Sequence, residues 1–168
     1  MKMELIQPFI NSLDAVLAAT MGCSAVIADV SMEEGHYRQS GIAALVGISG
    51  EIEGRVILDM ENAAALQAAT DLAGVSGTPT EETTRETVCE LTNMVIGNAV
   101  TQLNDRGFRF KVHPPQVYAV EAGPAGTEDT ETVVLRFETP MGKVYLTLAV
   151  RYKIRRASDA ARQTVLSS

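Results

Sequence analysis

The spacing of apolar residues divides the first half of the chain into a long helix followed by strands. Residues 3–20 carry apolar side chains at helical intervals, which predicts an amphipathic helix. Pro8 lies early enough in this segment to be tolerated. The composition and spacing of residues then predict β-strands in three segments: 23–32, 41–49 and 53–60. A short alanine-rich helix over 61–72 and a loop over 73–80 complete this half.

The second half begins again with a long helix and continues with strands. The helix is predicted to run to Asp105. Its favoured N-cap is Thr80, with Thr83 and Thr84 as alternatives, and acidic residues suit its first turn. Three further strands are predicted: 116–121, 132–138 and 143–152. Apolar and other residues alternate most regularly in the last of these.

The order of these elements indicates a weak internal repeat. Each half contains one long helix followed by three strands, and Gly54–Leu58 matches Gly142–Leu146 in pattern. Two copies of a helix-plus-three-strand unit predict an α+β fold, in which one sheet carries both long helices. Chance similarity between two hairpins is the alternative explanation of the repeat.

The second long helix has two faces of different character. One stripe is apolar and should face the core: Val88, Leu91, Val95, Ala99 and Leu103. The opposite stripe is polar and contains a glycine: Glu86, Glu90, Asn93, Gly97 and Thr101. A glycine inside a helix costs about 1 kcal/mol relative to alanine. Close approach of a partner to Gly97 would explain that cost, whereas an ordinary solvated face would leave it unexplained.

Composition narrows the class of protein. A length of 168 residues suits one domain with a sizeable core, predicted here over 1–155 and followed by a flexible polar tail, 156–168. The net charge of −7 argues against nucleic acid or an anionic membrane as a partner. Polar residues interrupt any N-terminal signal sequence, and no segment is long enough to span a membrane, so a cytoplasmic location is the default expectation.

The residues needed for a self-contained catalytic or metal site are scarce. His36 and His113 have no metal-ligand partner at a useful spacing, so no metal site is predicted. Cys23 and Cys89 lack a CxxC spacing and are interpreted as small hydrophobic residues. The sequence contains no phosphate-binding GxxxxGK[ST] loop and no GxSxG element. A hydrolase with its own nucleophile is therefore disfavoured.

The polar stripe coincides with a known family signature. The segment Glu90-x-x-Asn93-x-x-x-Gly97-Asn98-Ala99 is similar to the signature of the CheC/CheX/FliY family of phosphatases. The family pattern continues to a proline, and Pro114-Pro115 stands at that spacing. Residues 8–22 and 46–58 also resemble CheX, and the single signature favours CheX over CheC, which usually carries two.

The resemblance implies dephosphorylation of a phosphorylated CheY-type response regulator in chemotaxis. Asn93 would align an attacking water, and Glu90 would pair with a lysine of the partner. Glu86 stands where some members carry Asp or Ser, and it joins Pro114 and Pro115 as an expected partner contact. Our own inference is that Gly97 gives the partner clearance.

The resemblance also bears on cofactors and assembly. The aspartyl phosphate and Mg²⁺ would belong to the partner, so no cofactor is expected in this chain. The resemblance to CheX implies a homodimer whose two copies are joined through sheet edges. The alternative is a non-catalytic module that sequesters the regulator, or a scaffold like those of the flagellar switch.

Overall fold

The structure is a computed structural model that describes residues 3–32, 39–74, 77–118 and 131–152. The helices and strands formed by these residues are, in chain order: α1 (Met3–Met21), β1 (Val26–Met32), β2 (Ile42–Gly50), β3 (Ile52–Met60), α2 (Asn62–Ala73), α3 (Glu81–Asp105), β4 (Phe110–Val112), β5 (Gln116–Tyr118), β6 (Glu131–Thr139) and β7 (Gly142–Tyr152). This is a mixed α+β fold, as the sequence predicted.

All seven described strands join one antiparallel sheet. The strand order is β1-β6-β7-β3-β2-β4, and β5 pairs with β2 beyond the end of β4. The strands β3 and β7 therefore lie at the centre of the sheet. The strand β1 forms one edge, and the short strands β4 and β5 form the other.

The sheet order has the symmetry expected of two related units. The first unit contains α1, β1, β2 and β3, and the second contains α3, β5, β6 and β7. Exchanging the two units reproduces the same strand order, with β3 and β7 paired at the centre. Leu58 and Leu146, which the sequence repeat places at equivalent positions, face each other across this central pair. The repeat predicted from the sequence is thus visible in the pairing of the strands.

The helices cover one face of the sheet and share a core with it. Buried side chains from α1, α2 and α3 form a single cluster with alternate residues of the strands, among them Val56, Leu58 and Leu146. The two long helices also contact each other, and the buried hydroxyl of Ser12 on α1 donates a 2.6 Å hydrogen bond to the carbonyl oxygen of Val95 on α3. This arrangement fixes which face of α3 is buried.

Most predicted boundaries are confirmed within a few residues. Thr80 is the N-cap of α3, because its Oγ1 accepts a 3.1 Å hydrogen bond from the amide of Thr83. The strand predicted from residue 23 begins only at Val26, since Ala25 donates its amide to the Asp14 carboxylate at 3.0 Å and so belongs to the connection from α1.

Some predictions fall outside the described residues, and one strand was missed. Residues 119–121 of a predicted strand and the predicted tail, 156–168, are not described. The sequence analysis did not predict β4, whose three residues are too few for an alternating pattern to emerge.

Gly54→Ala should destabilise the sheet at its centre. Gly54 has a φ of 149°, and an added Cβ would lie 2.0 Å from the carbonyl oxygen of Ala149. Steric overlap and backbone strain should lower the free energy of unfolding by about 2–4 kcal/mol.

Gly97→Ala is the matched control for this substitution, because nothing lies within 4 Å of its added Cβ. It should raise the free energy of unfolding by about 0.5–1 kcal/mol. Urea unfolding followed by circular dichroism measures both variants, and equal midpoints would contradict the packing described for Gly54.

Candidate functional site

The inner face of α3 is completely buried. The five apolar residues predicted for the core are each 0% exposed: Val88, Leu91, Val95, Ala99 and Leu103. Three threonines, which the sequence analysis did not assign to the core, are buried beside them. Thr84, Thr87 and Thr92 each donate the side-chain hydroxyl to the carbonyl oxygen four residues earlier, at 2.6–2.8 Å. These hydrogen bonds satisfy the hydroxyls, so threonine can be buried at little cost.

The outer face of α3 carries the predicted polar residues in a row. We call this set the α3 stripe, and all of its members are exposed: Glu86, Glu90, Asn93, Gly97 and Thr101. Glu90 and Asn93 lie about 4.5 Å apart along the helix axis, since each residue rises about 1.5 Å. The stripe therefore presents a carboxylate and a carboxamide one turn apart.

The side chains of Glu90 and Asn93 have no hydrogen-bond or ion-pair partner among the described residues. Some other exposed polar residues on the helices are paired within the chain. Gln7 donates to Asn11 at 2.8 Å, and Arg85 forms an ion pair with Glu81 at 2.5 Å. Glu90 and Asn93 are consequently available to an external partner without breaking a contact among these residues.

Gly97 has no internal reason to be a glycine. Its backbone is helical, and an added Cβ would meet no atom within 4 Å. Its carbonyl oxygen accepts a 3.0 Å hydrogen bond from the Thr101 hydroxyl, which any residue at position 97 would allow. The absence of a side chain therefore leaves open space on the stripe rather than relieving a contact.

Pro114 and Pro115 lie on a neighbouring element and not on α3. They separate β4 from β5, at the sheet edge along which α3 packs. The amide of His113 donates to the carbonyl oxygen of Gly47 at 2.9 Å, and pairing with β2 then stops until Gln116. Proline has no amide hydrogen for a ladder, which explains this interruption. The structure thus brings Glu86, Glu90, Asn93 and Gly97 onto one face of α3, whereas the two prolines lie in the connection between β4 and β5.

The cysteine beside Glu90 is a poor candidate for a nucleophile. Burial, together with the nearby carboxylate of Glu86, raises the pKa of the Cys89 thiol. A raised pKa keeps the thiol protonated at neutral pH, whereas the thiolate is the nucleophilic form. Among the described residues, no group of three or more His, Cys, Asp or Glu side chains could hold a metal ion.

The edge strand β1 exposes an apolar surface that the sequence analysis did not single out. Val26 and Met32 are each more than 60% exposed, and Val30 is 49% exposed. β1 pairs only with β6, so its other edge is unpaired within the described part of the chain. The apolar run gave no signal of this exposure, because the edge position of β1 depends on the strand order.

Comparisons with known proteins agree with this architecture. A family model described as chemotaxis phosphatase CheX matches residues 42–138, more than half of the chain. A CheC-like superfamily protein from Shewanella sp. PV-4 has a TM-score of 0.77 and 24% identity, covering 90% of this chain and 99% of that one. CheX from Vibrio vulnificus has a TM-score of 0.74 and 23% identity, covering 88% and 99%. A CheX-CheY-BeF3-Mg²⁺ complex from Borrelia burgdorferi contains a chain with a TM-score of 0.69 and 26% identity, covering 87% and 97%.

An antiparallel sheet with helices packed on one face is the fold that this chain shares with the CheC-like proteins. The chain belongs to the CheX family of chemotaxis phosphatases. No curated protein sequence matches it significantly. Within the residues that the structure describes, no helix is both long and apolar enough to cross a membrane.

Proposed function

We propose that this protein hydrolyses the aspartyl phosphate of a CheY-type response regulator. The observation that carries the proposal is the pairing of Glu90 and Asn93, exposed and without partners among the described residues, on one face of a helix in a CheX-family chain. A surface helix can reach into the active site of another protein, where a recessed pocket could not. The site would be completed only when the regulator docks.

Asn93 has the chemistry required to position a water molecule. Its carboxamide offers both an acceptor and donors, so it can hold a water while facing a phosphoryl oxygen. It is neutral and does not repel a negatively charged phosphoryl group. Phosphoryl transfer needs an in-line nucleophile and little covalent chemistry from the protein, so orientation is the main contribution expected of Asn93.

Glu90 is suited to fix the partner's orientation. A carboxylate one turn from Asn93 can form a charge-assisted hydrogen bond with an ammonium group of the regulator. Such a contact would set the register of the regulator on the α3 stripe and so place its phosphoryl group beside Asn93. Glu86 would lie at the margin of the same contact, and Gly97 would admit a loop of the regulator close to the helix backbone.

The regulator would supply the remaining groups. The Borrelia burgdorferi complex contains CheX, CheY, BeF3 and Mg²⁺, which supports a CheY-type partner for this chain as well. We assign the aspartyl phosphate and the Mg²⁺ to that partner. The present chain would then contribute the carboxamide, the carboxylate and the shape of the stripe.

Asn93→Ala should abolish most of the phosphatase activity while leaving binding of the regulator largely intact. Loss of water orientation should lower turnover by about 100-fold or more. Phosphate release from a phosphorylated receiver domain measures turnover, and titration of the same domain measures binding. Asn62→Ala is the matched control, since Asn62 is also an exposed asparagine on a helix but belongs to α2 and lies outside the family signature. Undiminished hydrolysis by Asn93→Ala would contradict the mechanism.

Glu90→Ala should weaken both binding and turnover. Loss of one charge-assisted contact should raise the dissociation constant by about ten-fold and lower turnover at limiting regulator. Glu90→Gln keeps the shape of the side chain and isolates the role of its charge. An unchanged dissociation constant in a direct titration would exclude a docking role for Glu90.

The same phosphate-release assay separates the proposal from its main alternative. A sequestering or scaffold module would bind the regulator and leave its phosphate in place. A carboxamide beside the docking position favours hydrolysis, because binding alone does not need a group that orients water. Binding without accelerated phosphate release would favour the alternative.

We also propose that the protein is a homodimer formed through the β1 edge. Exposed Val26, Val30 and Met32 would be buried there, and the unpaired edge of β1 would gain a partner. An exposed apolar edge strand is otherwise an aggregation hazard, which pairing between two copies removes. The α3 stripe lies on a helix and would remain accessible in each copy.

Val30→Lys should convert the dimer to a monomer, because it places a charge in the proposed apolar interface. Val117→Lys is the control, since Val117 is 48% exposed on β5 at the opposite edge of the sheet. Size-exclusion chromatography with light scattering gives the mass of each variant. A wild-type monomer, or a Val30→Lys dimer, would contradict this assignment.

A further inference from the structure

An open groove lies where α3 ends and the chain turns into β4. We call it the α3–β4 groove, and its volume is about 730 Å³. It is lined by residues from the end of β2, the end of α3, the connection that follows α3 and the start of β4: Ser49, Gly50, Asn104, Phe108, Arg109, Phe110 and Lys111. This volume is within the range of the pockets in which proteins bind small molecules, about 300–1,000 Å³, so the groove has room for one or two side chains of a partner.

The lining combines positive charge with aromatic surface. Arg109 and Lys111 are exposed and supply the only charged side chains among the lining residues. Phe108 and Phe110 are half-buried, packed against the core on one side and open on the other. In a chain with a net charge of −7, this groove favours an acidic segment that also carries an apolar side chain.

The backbone of the groove is held in place by its neighbours. The amide of Arg109 donates to the Glu51 carboxylate at 3.0 Å, and the amide of Glu51 donates to the carbonyl oxygen of Arg109 at 3.0 Å. The Glu51 carboxylate is thus engaged with the backbone behind Arg109. These reciprocal hydrogen bonds fix the turn on which the two basic side chains stand.

The groove lies in line with the α3 stripe. Asn104 follows Asn93 by three helical turns and so lies on the same face, about 16 Å farther along α3. A typical protein interface buries about 800 Å² on each partner, which corresponds to a patch about 16 Å in radius. A globular partner centred on Asn93 can therefore reach the groove at the margin of its contact.

Charge is distributed unevenly along this face. The first half of α3 carries Glu82, Glu86 and Glu90, and the cation in this half, Arg85, is already paired with Glu81. At the other end three exposed cations, Arg106, Arg109 and Lys111, outnumber the one exposed carboxylate of this end of α3, that of Asp105. A partner aligned along α3 would meet an acidic surface near Asn93 and a basic one at the groove, which distinguishes the two possible orientations of the partner.

We propose that the α3–β4 groove is a second docking point that binds an acidic segment with an apolar side chain on the response regulator seated over Asn93. This inference rests on the proposed function. The groove contributes affinity, association rate and orientation, because charges at the margin of an interface act mainly on association and on salt dependence. It takes no part in orienting the water.

The test is the double variant Arg109→Glu/Lys111→Glu, titrated with a CheY-type receiver domain loaded with Mg²⁺ and BeF3. Its dissociation constant should rise by about ten-fold at low ionic strength, with a weaker salt dependence than the wild type. The turnover number at saturating phosphorylated receiver should stay within about two-fold, since Asn93 is untouched.

Lys143→Glu is the matched control. Lys143 is exposed at the start of β7, beside the end of β3 that is remote from the groove, and its substitution should leave the dissociation constant within about two-fold. The neutral pair Arg109→Gln/Lys111→Gln should give an intermediate loss of affinity. This second variant carries the test if charge reversal impairs folding.

The outcomes distinguish this inference from the proposed function. If the wild type hydrolyses the phosphate and the groove variants bind the receiver with an unchanged dissociation constant, the docking role of the groove is refuted. The phosphatase assignment then still stands. If the groove variants bind the receiver more weakly but the wild type does not hydrolyse the phosphate, the docking role of the groove is supported and the phosphatase assignment is refuted. Pyrophosphate bound by the wild type and lost in the double variant, with receiver binding unchanged, would make the groove a small-anion site and contradict the proposal.

Discussion

The burial of one face of α3 is the constraint on which the candidate site depends. Five apolar residues at helical spacing are removed from solvent against α1, α2 and the sheet, and the Ser12 hydroxyl ties α1 to the carbonyl oxygen of Val95. Once this face is fixed, rotation of the helix about its axis is fixed too. Glu90 and Asn93 must then face solvent on a rigid element. The proposed role of Asn93 in orienting water would benefit from that rigidity, because small displacements of a positioning group lower the rate strongly.

The long helices of the two related units, α1 and α3, differ in the polar residues that they expose. Both present a long helix, yet two exposed polar residues of α1, Asn11 and Asp14, are engaged within the chain. Asn11 accepts a hydrogen bond from Gln7, and Asp14 accepts one from the amide of Ala25 at the entry to β1. On α3 the corresponding outer face keeps Glu90 and Asn93 without partners among the described residues. The repeat therefore builds a symmetric support, while the side chains available to a partner are on one helix.

Periodicity predicted the elements and the faces of α3 well, because both follow from local spacing. It placed Val88 and Leu103 in the core and Asn93 on the surface, and the structure agrees. Features that depend on distant parts of the chain were not predicted. The edge position of β1 follows from strand order, and the α3–β4 groove requires the end of β2 to pair with the start of β4. The roles proposed for Glu90 and Asn93 rest on the resemblance to a family signature, since an exposed carboxylate and amide are common on any helix.

The most direct test of the account is a structure of this protein bound to a CheY-type receiver domain carrying Mg²⁺ and BeF3. In that structure the α3 stripe should face the receiver's active site. The Asn93 carboxamide should lie within about 3 Å of a water aligned with the beryllium, and the Glu90 carboxylate within about 3 Å of a receiver ammonium group. A receiver bound elsewhere, with Asn93 still facing solvent, would contradict the central claim.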